Sequence, residues 1–177
     1  MTATPSGRTS RRVLLALLAA GAGVWLSALV LAPFAVTHES ASGPVVKLAA
    51  TVYLAGGLVC HQRPSRSFHL WNARLPVCAR CCGLYLGGFG GLLIALLSRR
   101  PMRRRGGSDE ACLRGWRWLI LGAAAPTAVV WLVELAGVLP GITANWARAL
   151  SALPLGGTVA WVFSTALRSW PWPEKLR

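Results

Sequence analysis

Acidic residues are scarce in this chain: five Asp and Glu stand against 19 Lys and Arg, for a formal net charge of +14. Charge of either sign is sparse too, at 14% of residues, where a soluble domain carries about 25%. With 54% hydrophobic residues and a mean hydropathy of +0.50, that deficit excludes an ordinary soluble domain and points to lipid. No row of acids interrupts the apolar runs, which argues against a proton-coupled transporter, and the lone Glu134 is too little for a pore. The positive charges are bunched between apolar runs instead of covering a surface, a pattern of membrane topology. No nucleic-acid module is recognisable, so the bilayer is the expected partner and nucleic acid is not. Long repeats and low-complexity tracts are missing as well. The 177 residues are expected to form a single membrane domain, with no room for a second, soluble one.

Four apolar runs are long enough to cross a bilayer, which takes ~20 residues. Val13 to Val36 holds no charged residue and follows Arg8, Arg11 and Arg12. Ser10-Arg11-Arg12-Val13-Leu14-Leu15 has a look of a twin-arginine export signal. A signal core spans only about 7–15 residues, and no small-x-small cleavage site follows, so an uncleaved first helix is expected. Cys82 to Ser98 precedes the basic cluster Arg99, Arg100, Arg103, Arg104 and Arg105. Trp116 to Leu139 contains Pro126 and Glu134, and Trp146 to Leu167 contains Pro154 and Gly156-Gly157. Trp116, Trp118, Trp146, Trp170 and Trp172 fall at run ends, where the headgroup layer favours indole.

Pro44 to Val59 is apolar but short and contains Lys47. Such lengths suit an interfacial or re-entrant helix better than a spanning one. If it does not cross, the N-terminal arginines, the 99–117 loop and the Arg168/Lys175/Arg177 tail share one side, which the positive-inside rule makes cytoplasmic. The expected fold is therefore all-α: a membrane bundle of about four spanning helices plus one interfacial helix, with the 60–81 loop facing outward. Five crossings is the alternative. In either topology the helices flanking the 99–117 loop run antiparallel, so Cys81, Glu134 and Arg148 fall at one end. Gly83, Gly87 and Gly91, with Gly88 and Gly90, offer a smooth face for close helix approach.

Chemistry concentrates in the loop. Cys60-His61-Gln62-Arg63-Pro64 is followed by Cys78-Ala79-Arg80-Cys81-Cys82-Gly83, so this one segment holds four of the five cysteines. Three readings stay open. In a metal site the Cys78/Cys81 spacing lets both sulfurs meet one tetrahedral ion, with Cys60 and His61 completing the shell and zinc the default metal. In a redox site the same pair at a helix N-terminus is activated by the helix dipole and by Arg80. In a structural role the cysteines form a plain disulfide or remain inert buried thiols. Whether the protein is an enzyme is left open by the residues.

The redox layout resembles the DsbB family of quinone-linked disulfide oxidoreductases over about Cys78 to Gly87. That resemblance implies a quinone cofactor with Cys78, Cys81 and Arg80 as the working residues. A second loop cysteine pair is lacking unless Cys60 and Cys82 supply it.

A closer resemblance is carried by Cys60-His61-Gln62-Arg63-Pro64-Ser65-Arg66-Ser67-Phe68 and by Pro76-Val77-Cys78-Ala79-Arg80-Cys81-Cys82-Gly83-Leu84-Tyr85-Leu86-Gly87. These runs resemble the signature of a family of small prokaryotic membrane proteins, domain of unknown function 2085, with a looser likeness from about Pro44 to Leu167. The resemblance implies a multi-pass membrane protein and brings no reaction, cofactor or substrate. Ser65 stands where the family typically has an acid, and Cys82 where a hydroxyl residue is usual.

Further residues carry weaker signals. Gln62 either orients His61 or caps the preceding segment. Arg63, Arg66, Arg74 and Arg80 form a cationic fringe, suited to lipid phosphates or to an anionic or quinone-like ligand beside the thiols. Glu134 is costly in an apolar helix unless paired. An ion pair with Arg148 or Arg80 is expected for it, with metal ligation or proton transfer as the alternative. Tyr85 is expected to be a packed aromatic, and a hydrogen bond into the site is its other role. His38 and His69 read as solvated loop residues and Cys112 as a spectator.

Overall fold

The computed structural model describes residues 5–38, 43–98, 109–137 and 144–169. The basic cluster Arg99 to Arg105, the side chain of Cys112 and the tail from Trp170 lie outside what is described. The chain is an all-α bundle: α1 (Pro5–Thr37), α2 (Gly43–Val59), α3 (Ala79–Leu97), α4 (Asp109–Ala136) and α5 (Asn145–Ser169). Four of these, all but α2, are long and apolar enough to cross a membrane. The 33 residues of α1 extend roughly 50 Å, more than a ~30 Å hydrocarbon core needs. The 17 residues of α2 reach only roughly 26 Å.

The tightest seam joins α3 to α5. A Cβ added at Gly83, Gly87 or Gly91 would run into the backbone carbonyls of Ala149, Leu153 and Gly157 respectively. Each glycine thus admits a carbonyl where any side chain would hold the helices apart. The smooth face is narrower than the sequence suggests. Gly90 has nothing within 4 Å of its added Cβ, and Gly88 only the Gly156 carbonyl at 3.9 Å. Helix α4 lies on the outer side of α5, and α1 runs along α2 and α3. The three helix-interior prolines, Pro33, Pro126 and Pro154, are accommodated without ending their helices. Pro154 has no N–H to donate, which loosens the turn before it. In that turn the Thr127 hydroxyl of α4 donates to the Ser151 carbonyl at 2.7 Å.

The 60–78 segment is more ordered than a plain loop. A short 3-10 turn at Pro64–Arg66 leads into a two-stranded hairpin, β1 (His69–Leu70) paired antiparallel with β2 (Ala73–Arg74). The connecting Trp71 and Asn72 both have positive φ, 48° and 63°, as a two-residue hairpin turn of the primed type requires. His69 is therefore a strand residue, and it is exposed. Leu75 and Val77, just after the hairpin, are buried with Leu29 of α1, Cys60 and Cys82 in one apolar cluster. The cysteine segment is thus folded into the core and does not hang from it.

Candidate metal centre

Helix α2 ends at Val59, and the Cys60 N–H still donates to the Gly56 carbonyl at 3.0 Å. The chain then reverses through Gln62, whose φ of 45° is unusual for a residue with a side chain. The Gln62 amide nitrogen donates to the carbonyls of Tyr53 at 2.6 Å and Pro76 at 2.8 Å. Two acceptors on one side fix which end of the amide is nitrogen. Gln62 therefore rivets the last turns of α2 to the strand leaving the hairpin, and its amide does not serve His61. Gly56 permits this approach, since a Cβ there would lie 2.5 Å from the Pro76 carbonyl oxygen.

The rivet sets Cys78 opposite Cys60. The Cys78 backbone N–H donates to the Cys60 sulfur at 3.2 Å. Cys78 is the residue before α3, and its own carbonyl takes the first helical hydrogen bond, from the Cys82 N–H at 3.0 Å. One turn on, Cys81 brings its sulfur to 3.6 Å from that of Cys78. The sulfurs of Cys60, Cys78 and Cys81 all lie within 4.8 Å of one another. Sulfurs sharing a tetrahedral ion at ~2.3 Å each would stand about 3.8 Å apart, so only small side-chain shifts separate this arrangement from a ligand set. The four cysteines with described side chains are free thiols.

His61 joins Cys60, Cys78 and Cys81 in lining a cavity at this end of the bundle, but it is exposed and is not one of the three converging donors. Adjacent residues in extended chain point opposite ways, so burying Cys60 turns His61 outward. Cys82 is buried with Leu29 and Val77 and lies outside the trio. Tyr85 packs edge-on to Trp25, ring centroids 6.2 Å apart. The Cys78 thiol ionises far below its ordinary range, because the Cys81 thiol hydrogen-bonds to it and the backbone N–H groups of Cys81 and Arg80 add to that, outweighing burial.

Arg80 stands between Cys78 and Cys81 at the start of α3, and its Nη2 lies 2.9 Å from Glu134 Oε2 on α4. The other Glu134 oxygen accepts from Arg148 Nε of α5 at 2.7 Å, and Arg66 comes to 3.9 Å. The Glu134 side chain is only 6% exposed, so three guanidinium groups surround one buried carboxylate. Arg148 also donates to Asn145 Oδ1 at 2.8 Å, while Asn145 Nδ2 donates to the Ser67 carbonyl at 3.0 Å. This chain of contacts docks the loop on the N-terminal end of α5, where Phe68 also meets Trp146 at 5.0 Å. Asn145 and Ser67 were not legible as site residues. Their one signal is position, a polar residue at the start of an apolar run and another just before a half-buried aromatic.

A family model described as "Predicted membrane protein (DUF2085)" matches residues 60–162, more than half of the chain. The chain belongs to this family. The match takes in all three converging cysteines and also Glu134, Asn145 and Arg148, so DUF2085 as matched here covers the whole centre. Among curated proteins, an uncharacterized protein of Methanocaldococcus jannaschii is 30% identical over 91 residues, which are 51% of this chain and 53% of that protein. An uncharacterized protein of Methanothermobacter thermautotrophicus is 46% identical over 39 residues, 22% of this chain and 35% of its own length. The chain thus spans about half or less of the length of these curated relatives. No solved structure matches it.

Proposed function

We propose that this membrane protein holds a transition-metal ion, zinc by default, on Cys60, Cys78 and Cys81. The observation that carries the reading is the convergence of three thiols from two separate segments within 4.8 Å. A tetrahedral ion there would need a fourth ligand, and His61, which lines the same cavity as the three cysteines, is the protein's own candidate for it. An ion held this way ties the end of α2 to the start of α3 and pins the loop to the bundle. No catalytic step is needed for that, and a scaffold or assembly role is compatible with it.

The orientation is part of the proposal: both chain ends cytoplasmic, α2 interfacial and the cysteine end outward. Two contacts support it. Arg11 near the start of α1 donates to the Arg168 carbonyl near the end of α5, so those ends share a face. Phe34 near the end of α1 meets Trp71 of the hairpin at 5.5 Å, at the opposite end.

A second reading, a membrane thiol–disulfide oxidoreductase, is favoured by the 3.6 Å approach of Cys78 and Cys81 and the easily ionised Cys78. Forming that disulfide releases two electrons and two protons, which a quinone would accept as hydroquinone. The test is purification without reductant, metal analysis, and thiol titration before and after chelation. About one zinc per chain, with thiols released by chelator, supports the metal site. A Cys78–Cys81 disulfide without metal, reopened by dithiols, overturns it in favour of the redox reading.

A further inference from the structure

The cavity beside the cysteines has a volume of about 310 Å³, at the lower end of small-ligand sites (~300–1,000 Å³). Apart from the thiols its wall is one-sided in charge: Arg63, Arg66 and Arg80 line it, and no acid does among the described residues. Glu134 lies behind that wall, but Arg148 at 2.7 Å already matches its single charge. Three thiolates around a divalent ion add one negative charge, and a single thiolate in the metal-free trio adds one as well. At least two positive charges are therefore left over, whether or not a metal is held. Arginines cannot shed their protons to relieve this.

Arg80 contributes from within the wall. Arg80 Nε is buried with no hydrogen-bond acceptor among the described residues, and its Nη2 meets Glu134 by proximity without a directed bond. Both atoms are closed to a water-sized probe, so Arg80 acts on the cavity through its charge, while the more exposed Arg63 and Arg66 offer their guanidinium forks to it. The N-terminal turn of α3, with its positive dipole end, faces the same space.

The geometry points to a phosphate-binding site in this cavity, on Arg63, Arg66 and Arg80, taking a phosphate monoester or inorganic phosphate. Guanidinium forks match phosphate and carboxylate oxygens alike. A carboxylate brings one charge, whereas a phosphate monoester brings about 1.5 to 2 near neutral pH and three acceptor oxygens. The excess of two charges and the three guanidinium groups select phosphate. The site lies where α3 begins, at the end of a membrane-spanning segment, so the group is either free or the head of a lipid such as phosphatidic acid.

The test uses the full-length protein in a phosphate-free neutral detergent, metal-loaded and chelated in parallel, so that loss of the metal does not decide the result. Binding of radiolabelled inorganic phosphate is measured by equilibrium dialysis. Retention of phosphatidic acid is measured in phosphatidylcholine nanodiscs with and without that lipid. One phosphate or one phosphatidic acid per chain is expected, weakened at least about tenfold by Arg63→Gln and by Arg66→Gln and weakened by added salt. Arg66→Lys, which keeps the charge and loses the fork, is expected to fall between. Both positions are at least partly exposed, so these variants fold, and unchanged melting confirms it. Saturable inorganic phosphate identifies a free ligand and phosphatidic acid alone a lipid head. Binding of neither, or binding indifferent to both Gln variants, overturns the site.

Discussion

The sulfur of Cys60 accepts the backbone N–H of Cys78, 18 positions further along the chain, at 3.2 Å. This contact joins the end of α2 to the start of α3 and sets the third donor beside the Cys78/Cys81 pair. It makes Cys60 separable from Cys82, which is equally buried but belongs to the apolar cluster. Cys60→Ser is expected to lower metal affinity by more than the ~10–100-fold typical of outer-shell changes. Cys82→Ala is expected to keep full metal loading and to cost about 1 kcal/mol of stability. Metal analysis of the two purified variants, with a melting curve for each, checks this; equal loading of both would remove Cys60 from the centre.

Glu134 is the hub of the charge network, and removing it differs from removing a partner. Glu134→Gln leaves Arg80 and Arg148 near one another with no counter-charge, where loss of one member of a buried pair costs about 3–5 kcal/mol. Arg66 sits 3.9 Å from the carboxylate with 39% of its side chain exposed, so Arg66→Gln is expected to cost under about 1 kcal/mol. Unfolding in mixed detergent measures both. Comparable losses would show that Glu134 is not the shared counter-ion.

Much of this arrangement was legible in the sequence, for identifiable reasons. Apolar runs and terminal tryptophans mark helices because lipid demands both, and α2 stood out by its shortness. Antiparallel helices around the 99–117 loop were enough to bring Cys81, Glu134 and Arg148 to one end, and the ion pairs at 2.7 and 2.9 Å follow. The spacing of Cys78 and Cys81 announced a pair, because one helical turn places i and i+3 side by side. The role of Gln62 was not legible, since its acceptors are backbone carbonyls that no residue type reveals. The partner of the glycine stripe was hidden too. Ala149, Leu153 and Gly157 are matched to it by the carbonyls they expose, and Leu153 is no partner that composition would suggest.

The glycine stripe gives a paired test along one helix. Gly87→Ala pushes a methyl into the Leu153 carbonyl, and backbone cannot swing aside as a side chain can. Overpacking of this kind costs about 1–3 kcal/mol or more. Gly90→Ala meets nothing within 4 Å and is expected to be neutral or to gain up to about 1 kcal/mol from helix propensity. The midpoint of detergent-induced unfolding separates them. A Gly87→Ala variant as stable as Gly90→Ala would mean that α3 and α5 are not in contact at this seam.

Ionisation of Cys78 supplies a pH test on metal-free protein. Its thiol is brought down to about 5, with the Cys81 hydrogen bond as the largest cause and burial opposing it. A lowered value means that the reactive thiolate is present at every pH above that point, whereas an ordinary cysteine gains thiolate only near 8.5. Alkylation of Cys78 by iodoacetamide, followed site by site by mass spectrometry after chelation, is therefore expected to be nearly flat from about pH 6 to 8. An ordinary thiol would speed up by roughly tenfold per pH unit over the same range. Cys81→Ala removes the hydrogen-bond donor and is expected to restore most of that slope. A steep Cys78 profile in the unsubstituted protein would mean that the two sulfurs are not hydrogen-bonded as described, and the redox reading would lose its best support.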